Sequence, residues 1–228
     1  MAGNIKDILS EILGVFAIVF IGAAAVCMDA WSGGKIGLPA VALAHGLSLA
    51  AILWLYGSRS MGHFNPAITI AWLTVGHVDI LKAFFLVAAQ LLGASLAGIC
   101  IKALPNNTLD VAASAPQLTF YALHGLGYRG ATLLEAIGTF FLASAYFAGW
   151  SGKNQGTSSC WAVGCIAAAC TLAFGPLTGA ALNPARVFGP AVASGQWAQW
   201  YVYWIGPLSG AWVAARVHEA FYAEKKER

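Results

Sequence analysis

Apolar residues fill six long stretches of this chain, at about 8–28, 38–57, 79–103, 130–150, 159–175 and 198–221. Each is long enough to cross ~30 Å of hydrocarbon as a helix rising 1.5 Å per residue. Polar or glycine-rich connections separate them at Asp29–Gly37, Gly57–His63, Pro105–Gly130 and Ser151–Ser158. Two shorter apolar pieces do not fit this scheme. Asn65-Pro66-Ala67 and Asn183-Pro184-Ala185 each read as a helix start, with Asn as N-cap and Pro at the first helical position. The first piece ends by Gly76, the second at Gly189-Pro190 or Gly195, so neither helix spans a bilayer.

Composition makes those two pieces matter. The chain has 228 residues, of which 59% are hydrophobic and 9% charged, with mean hydropathy +0.72. Soluble domains carry roughly a quarter charged residues, so this composition predicts an all-α integral membrane protein. A net charge of +3 is too small to argue for nucleic acid. The five cysteines (Cys27, Cys100, Cys160, Cys165 and Cys170) lie in apolar stretches and read as small buried hydrophobes. Their spacing suggests neither a metal site nor a disulfide framework.

The pattern also repeats. Glu11-Ile-Leu-Gly14-Val-Phe16 resembles Glu135-Ala-Ile-Gly138-Thr-Phe140, and Asn65 and Asn183 fall at matching places in the two halves. The repeats run over about 8–103 and 130–221 of a single 1–228 domain. With three spans each, the halves are inverted in the membrane, and discontinuous helices at matching points predict a site near the midplane. An N-terminus in the cytoplasm puts Lys6, Arg59, Lys82, Lys153, Arg216, Lys225, Lys226 and Arg228 inside, with Lys35, Lys102 and Arg129 outside. The positive-inside rule therefore places both termini in the cytoplasm.

Inversion brings the two short helices head to head, as a further span made from both sides. Each Asn is expected to cap its helix through the side-chain oxygen and to point its NH₂ into a lumen. The helix N-termini add about half a positive charge each at one level. A cation ~4 Å away, at an effective dielectric near 20, meets ~2 kcal/mol of repulsion from each. A neutral polar molecule meets no such barrier.

Taken together, these motifs resemble the aquaporins, or major intrinsic proteins, along essentially the whole chain. The carriers are Glu11-x-x-Gly14, Gly62-His63-Phe64-Asn65-Pro66-Ala67, Ala89-Gln90-x-x-Gly93, Glu135-x-x-Gly138-Thr139-Phe140 and Asn183-Pro184-Ala185-Arg186. Asn183–Gly195 and Tyr203-Trp204-Ile205-Gly206-Pro207-Leu208 are most similar to tonoplast intrinsic proteins. The resemblance implies six transmembrane helices plus two re-entrant half-helices in a right-handed bundle, a homotetramer in the lipid bilayer, and one pore per subunit. It also implies an aromatic/arginine filter formed by His45, Thr171, Ala180 and Arg186. Backbone carbonyls of Gly62, His63 and Phe64, and of Gly179, Ala180 and Ala181, are expected to line the pore. Glu11 and Glu135 are read as buried acids that accept hydrogen bonds from the irregular loops, not as a catalytic pair. His124, in the long loop 104–130, is read as a solvated loop residue.

The expected function is a passive channel for water that excludes ions and protons, without cofactor or metal. His at the first filter position and Thr at the second, where strict water channels resemble one another in having Phe and His, predict a wider, more polar filter. That filter would also admit ammonia, urea or hydrogen peroxide. Glycerol or a small polyol is the alternative solute, disfavoured because Val187 stands where the glycerol-conducting branch has Asp. A poorly conducting junction protein on the same scaffold is the other alternative. An intramembrane enzyme is not expected, since neither HExxH nor GxSxG occurs.

Overall fold

The structure is a computed structural model that describes residues 5–60, 62–104, 110–114, 125–151 and 157–222. Among the described residues eight α-helices carry the fold: α1 (Ile5–Trp31), α2 (Gly37–Ser60), α3 (Pro66–Thr74), α4 (Ile80–Lys102), α5 (Gly127–Ser151), α6 (Thr157–Thr178), α7 (Pro184–Ser194) and α8 (Val202–Tyr222). A short 3₁₀ turn, Val111–Ser114, packs against α1 and α7. Five helices (α1, α2, α4, α5 and α6) are long and apolar enough to cross a membrane. The sixth long helix, α8, has 21 residues, but Arg216, His218 and Glu219 near its end lower its apolarity. The half-helices α3 and α7 have 9 and 11 residues.

Exchanging the halves maps the packing onto itself. α1 packs on α2 and α4 as α5 packs on α6 and α8, and α4 receives α7 as α8 receives α3. In α2–α6 and α3–α7 an element packs on its own counterpart from the other half. Missing side chains permit these crossings. A Cβ on Gly46 would lie 2.5 Å from the Gly164 carbonyl oxygen, and a Cβ on Gly164 would strike the Gly46 carbonyl in turn. Gly93 against Ile12 and Gly210 against Ala136 repeat the arrangement in the two halves. Close backbone approach is how helices associate where lipid removes the hydrophobic drive. Large apolar side chains such as Trp54, Phe84, Leu133, Phe141, Trp161 and Trp212 point outward instead.

Several helices run up to three residues past their apolar stretches, as α1 does to Trp31 and α2 to Ser60, and the largest departure is at the start of α8. The sixth apolar stretch begins near 198, but α8 begins at Val202. Residues 198–201 form turns, with Gln199 at φ 52 and i→i+3 bonds from Trp200 to Trp197 and from Val202 to Gln199. The end of α7, which the sequence leaves between Gly189 and Gly195, falls at Ser194. Gly195 adopts the left-handed conformation, φ 77, and its N–H bonds to the Ala191 carbonyl. A terminating glycine of this kind is the usual helix stop.

Candidate functional site

The N-termini of α3 and α7 meet at the centre of the bundle. Asn65 is extended (φ −157, ψ 120), and its Oδ1 accepts from the Ala67 N–H at 2.9 Å. Asn183 (φ −154, ψ 114) accepts likewise from Ala185 at 2.9 Å. The amide nitrogens then cross between the repeats. Asn65 Nδ2 donates to the Leu182 carbonyl at 2.9 Å, and Asn183 Nδ2 donates to the Phe64 carbonyl at 2.9 Å. This corrects the expectation that the whole NH₂ group faces a lumen. A primary amide has two N–H donors, so each Asn ties the opposing loop with one and keeps one more.

The accepting loops are held in a conformation few residues adopt. Phe64 (φ 47) and Leu182 (φ 55) are left-handed without being glycine, which costs on the order of 1–3 kcal/mol each. Two fully buried carboxylates offset that cost. Glu11 accepts from the His63 N–H (3.1 Å) and the Phe64 N–H (2.8 Å). Glu135 accepts from the Ala181 N–H (3.0 Å) and the Leu182 N–H (2.8 Å). Hydrogen bonds to a charged acceptor contribute about 1.5–3 kcal/mol, enough to hold a strained loop where water is scarce.

Each carboxylate has different outer support. Gln90 Nε2 donates to Glu11 Oε2 (2.7 Å) and to Thr69 Oγ1 (2.8 Å). The Thr69 hydroxyl donates to the Asn65 carbonyl (3.2 Å), so it accepts from His63 Nδ1 (3.1 Å), which leaves His63 Nε2 a bare acceptor. In the second half the Thr178 hydroxyl donates to Glu135 (2.6 Å), accepts from the Ala180 N–H (3.1 Å), and the Thr178 carbonyl accepts from Tyr203 (2.9 Å). Thr69, Thr178 and Leu182 carry no signal in the sequence as site residues. Leu182 was accessible by symmetry, because it precedes Asn183 as Phe64 precedes Asn65.

A cavity of about 40 Å³ opens beside the two Asn residues. On this measure a water molecule needs roughly 10–15 Å³. Asn65, Asn183, His45, Thr171, Ala180, Ala181 and Arg186 all line it, with Leu182, Tyr146, Leu142, Ile18 and Leu49 among the others. Pro66, Ala67, Pro184 and Ala185 are buried in the helix starts behind it, whereas Gly62, His63, Phe64 and Gly179 are not in its wall. Two carbonyls expected to face the pore already accept from side chains: Phe64 from Asn183, and Gly179 from Arg186 Nη1 at 2.9 Å. His124 lies outside the described residues.

The polar side chains in the cavity wall are largely committed to the protein or buried. Arg186 stands in the first turn of α7, and its Nε has no protein partner. His45 Nδ1 lies 2.8 Å from the Val41 carbonyl, which can only accept, so Nδ1 donates and Nε2 is left an acceptor. That nitrogen packs against Gly22, where a Cβ would come within 2.6 Å of it. The Thr171 hydroxyl donates to the Ala167 carbonyl at 2.9 Å. Among the described residues, the buried atoms without a protein partner are His45 Nε2, His63 Nε2, Gln90 Oε1 and Arg186 Nε. Buried polar atoms of this kind are normally satisfied by water.

Residues 1–218 match the family described as Major intrinsic protein. The chain belongs to that family. It is therefore an integral, multi-pass membrane protein of a channel family, not of an enzyme family. Aquaporin TIP4-4 of Zea mays is 37% identical over an alignment covering 97% of this chain and 88% of that protein. Probable aquaporin TIP2-1 of Oryza sativa subsp. japonica is 34% identical, with 95% and 88% covered. Among solved structures, the aquaglyceroporin from Plasmodium falciparum superposes with a TM-score of 0.84 over 95% of this chain and 96% of that one. At 22% identity that likeness shows the fold alone.

Proposed function

We propose that this chain is a passive channel for water and small neutral solutes that excludes ions and protons. The crossed amide bonds of Asn65 and Asn183 support this reading most directly. They bring two positive helix ends to one level beside a cavity large enough to hold water, its wall largely apolar with a few polar side chains. The half-charges repel a cation there by ~2 kcal/mol each, before any cost of stripping its hydration. The remaining Asn N–H groups are donors, while the Oδ1 acceptor of each Asn is engaged in the helix cap. A water oxygen turned toward them breaks the chain along which a proton would hop.

His45, Thr171, Ala180 and Arg186 form the selectivity filter in this reading, with the adjoining loop carbonyls accepting from the solute. A small Thr171 and a His45 acceptor favour solutes that both donate and accept, so ammonia, urea and hydrogen peroxide pass with water. Relatives named as aquaporins favour water over glycerol, and Val187 agrees with them. The active form is a homotetramer with both termini in the cytoplasm, Lys6 and Arg216 lying on that side and Lys35 and Arg129 on the other. A permeability panel over ammonia, urea, hydrogen peroxide and glycerol in proteoliposomes tests the solute range. Transport of the first three above protein-free vesicles, with glycerol at background, is expected. Glycerol faster than urea would overturn this filter assignment.

A further inference from the structure

The half-helices are tied at both ends, and the outer ties are not part of the family motifs set out above. Neither α3 nor α7 has a basic residue in its own last turn. Instead, a cation reaches each C-terminal end from a long helix of the opposite repeat. Lys102 Nζ, at the end of α4, donates to the Ala193 carbonyl in the last turn of α7 at 2.6 Å. Arg216 Nη2, on α8, donates to the carbonyl of Thr74, the last residue of α3, at 2.8 Å. Its Nη1 pairs with Glu219 at 2.8 Å.

Helix C-termini leave carbonyls without intrahelical partners and carry about half a negative charge, so a cation there is favoured twice over. Repeat symmetry does not produce the pair. Aligning Gly93 with Gly210 sets Lys102 opposite Glu219 and Arg216 opposite Ile99. The two halves reach the same contact from different helical positions, which marks the contact, rather than the residue, as what both require.

We propose that Lys102 and Arg216 are positioning residues that latch the outer ends of α7 and α3 and so set the depth at which Asn183 and Asn65 meet. A half-helix held only at its N-terminus can slide or tilt along its neighbour. A second anchor at the far end removes that freedom and keeps the crossed amide bonds in register. Arg186 sharpens the need in α7, because a cation in the first turn opposes the helix dipole that Lys102 supports at the other end. The functional consequence rests on the channel reading given above, whereas the mechanical one does not.

The test uses the full chain in proteoliposomes, comparing Lys102→Met and Arg216→Met with Lys102→Arg, Arg216→Lys and Glu219→Gln. Amide hydrogen exchange is followed at 66–74 and 184–194, together with water permeability and proton flux. Lys102→Met is expected to raise exchange several-fold at 184–194 and leave 66–74 unchanged, and Arg216→Met to do the reverse. Both should lower the ratio of water permeability to proton flux several-fold. The two conservative variants should restore exchange and flux, and Glu219→Gln should leave the latch intact. Unchanged exchange, or an equal rise in both segments, would overturn the proposal. Conduction failing in the unsubstituted chain would refute the channel reading instead, and the exchange pattern would still decide the latch.

Discussion

Leu182 is an unremarkable side chain whose backbone holds two halves of the molecule together. Its N–H goes to Glu135 and its carbonyl receives the amide of Asn65. Strain, carboxylate and constriction are therefore coupled through one residue, by the two peptide units that flank its Cα. Glu135→Gln tests that coupling. The amide keeps one acceptor and turns an NH₂ toward a backbone donor, leaving a buried N–H unpaired at a cost of about 1–3 kcal/mol. A lower thermal midpoint is expected, with water permeability falling because the acceptor for Asn65 moves. Wild-type stability and permeability would contradict it. Gly22→Ala probes the filter side. The added methyl would lie 2.6 Å from His45 Nε2, so the ring must shift. The fold should survive while the ratio of urea to water permeability changes at least twofold. At this scale the sequence was legible where a side chain has costly chemistry, as with Arg186, Asn65 and the two buried acids. It was silent where the role belongs to an ordinary hydroxyl, as at Thr69 and Thr178, and at Leu182, whose role belongs to the backbone, it offered only the symmetry with Phe64.

At the scale of elements, the half-helices act through their ends. Two half-charges sum to about one elementary positive charge, which a single carboxylate would cancel. Asn65→Asp keeps the cap acceptor, removes the crossing donor and supplies that carboxylate. Sodium flux should rise clearly above that of the unsubstituted chain while helix content stays constant. Sodium exclusion as tight as before would show that the helix ends are not the barrier. Asn followed by Pro made both half-helices readable, because cap and first-turn preferences are local. The crossed bonds were not readable, since they depend on a loop from the other repeat. The start of α8 was missed for a local reason too. Trp197, Trp200 and Tyr201 are apolar enough to extend a helix, yet the left-handed Gln199 bends them into turns.

Across the whole molecule, the inverted repeat explains why the two halves contribute the same parts to the central site. Each half supplies two spanning helices, a half-helix and the helix that receives the other half's half-helix. Length and apolarity revealed the spans, and the matched motifs revealed the repeat, so the architecture was nearly all present in the pattern. The glycine pair at Gly46 and Gly164 was not, because close approach shows only once two distant helices are brought together. A channel of this kind must conduct water as the assembled protein. Stopped-flow osmotic shrinkage of proteoliposomes, with proton flux followed in the same vesicles, measures it most directly. Shrinkage well above the protein-free rate, with proton flux at the protein-free level, is the predicted result. Shrinkage no faster than protein-free vesicles, or proton flux rising together with water, would contradict it.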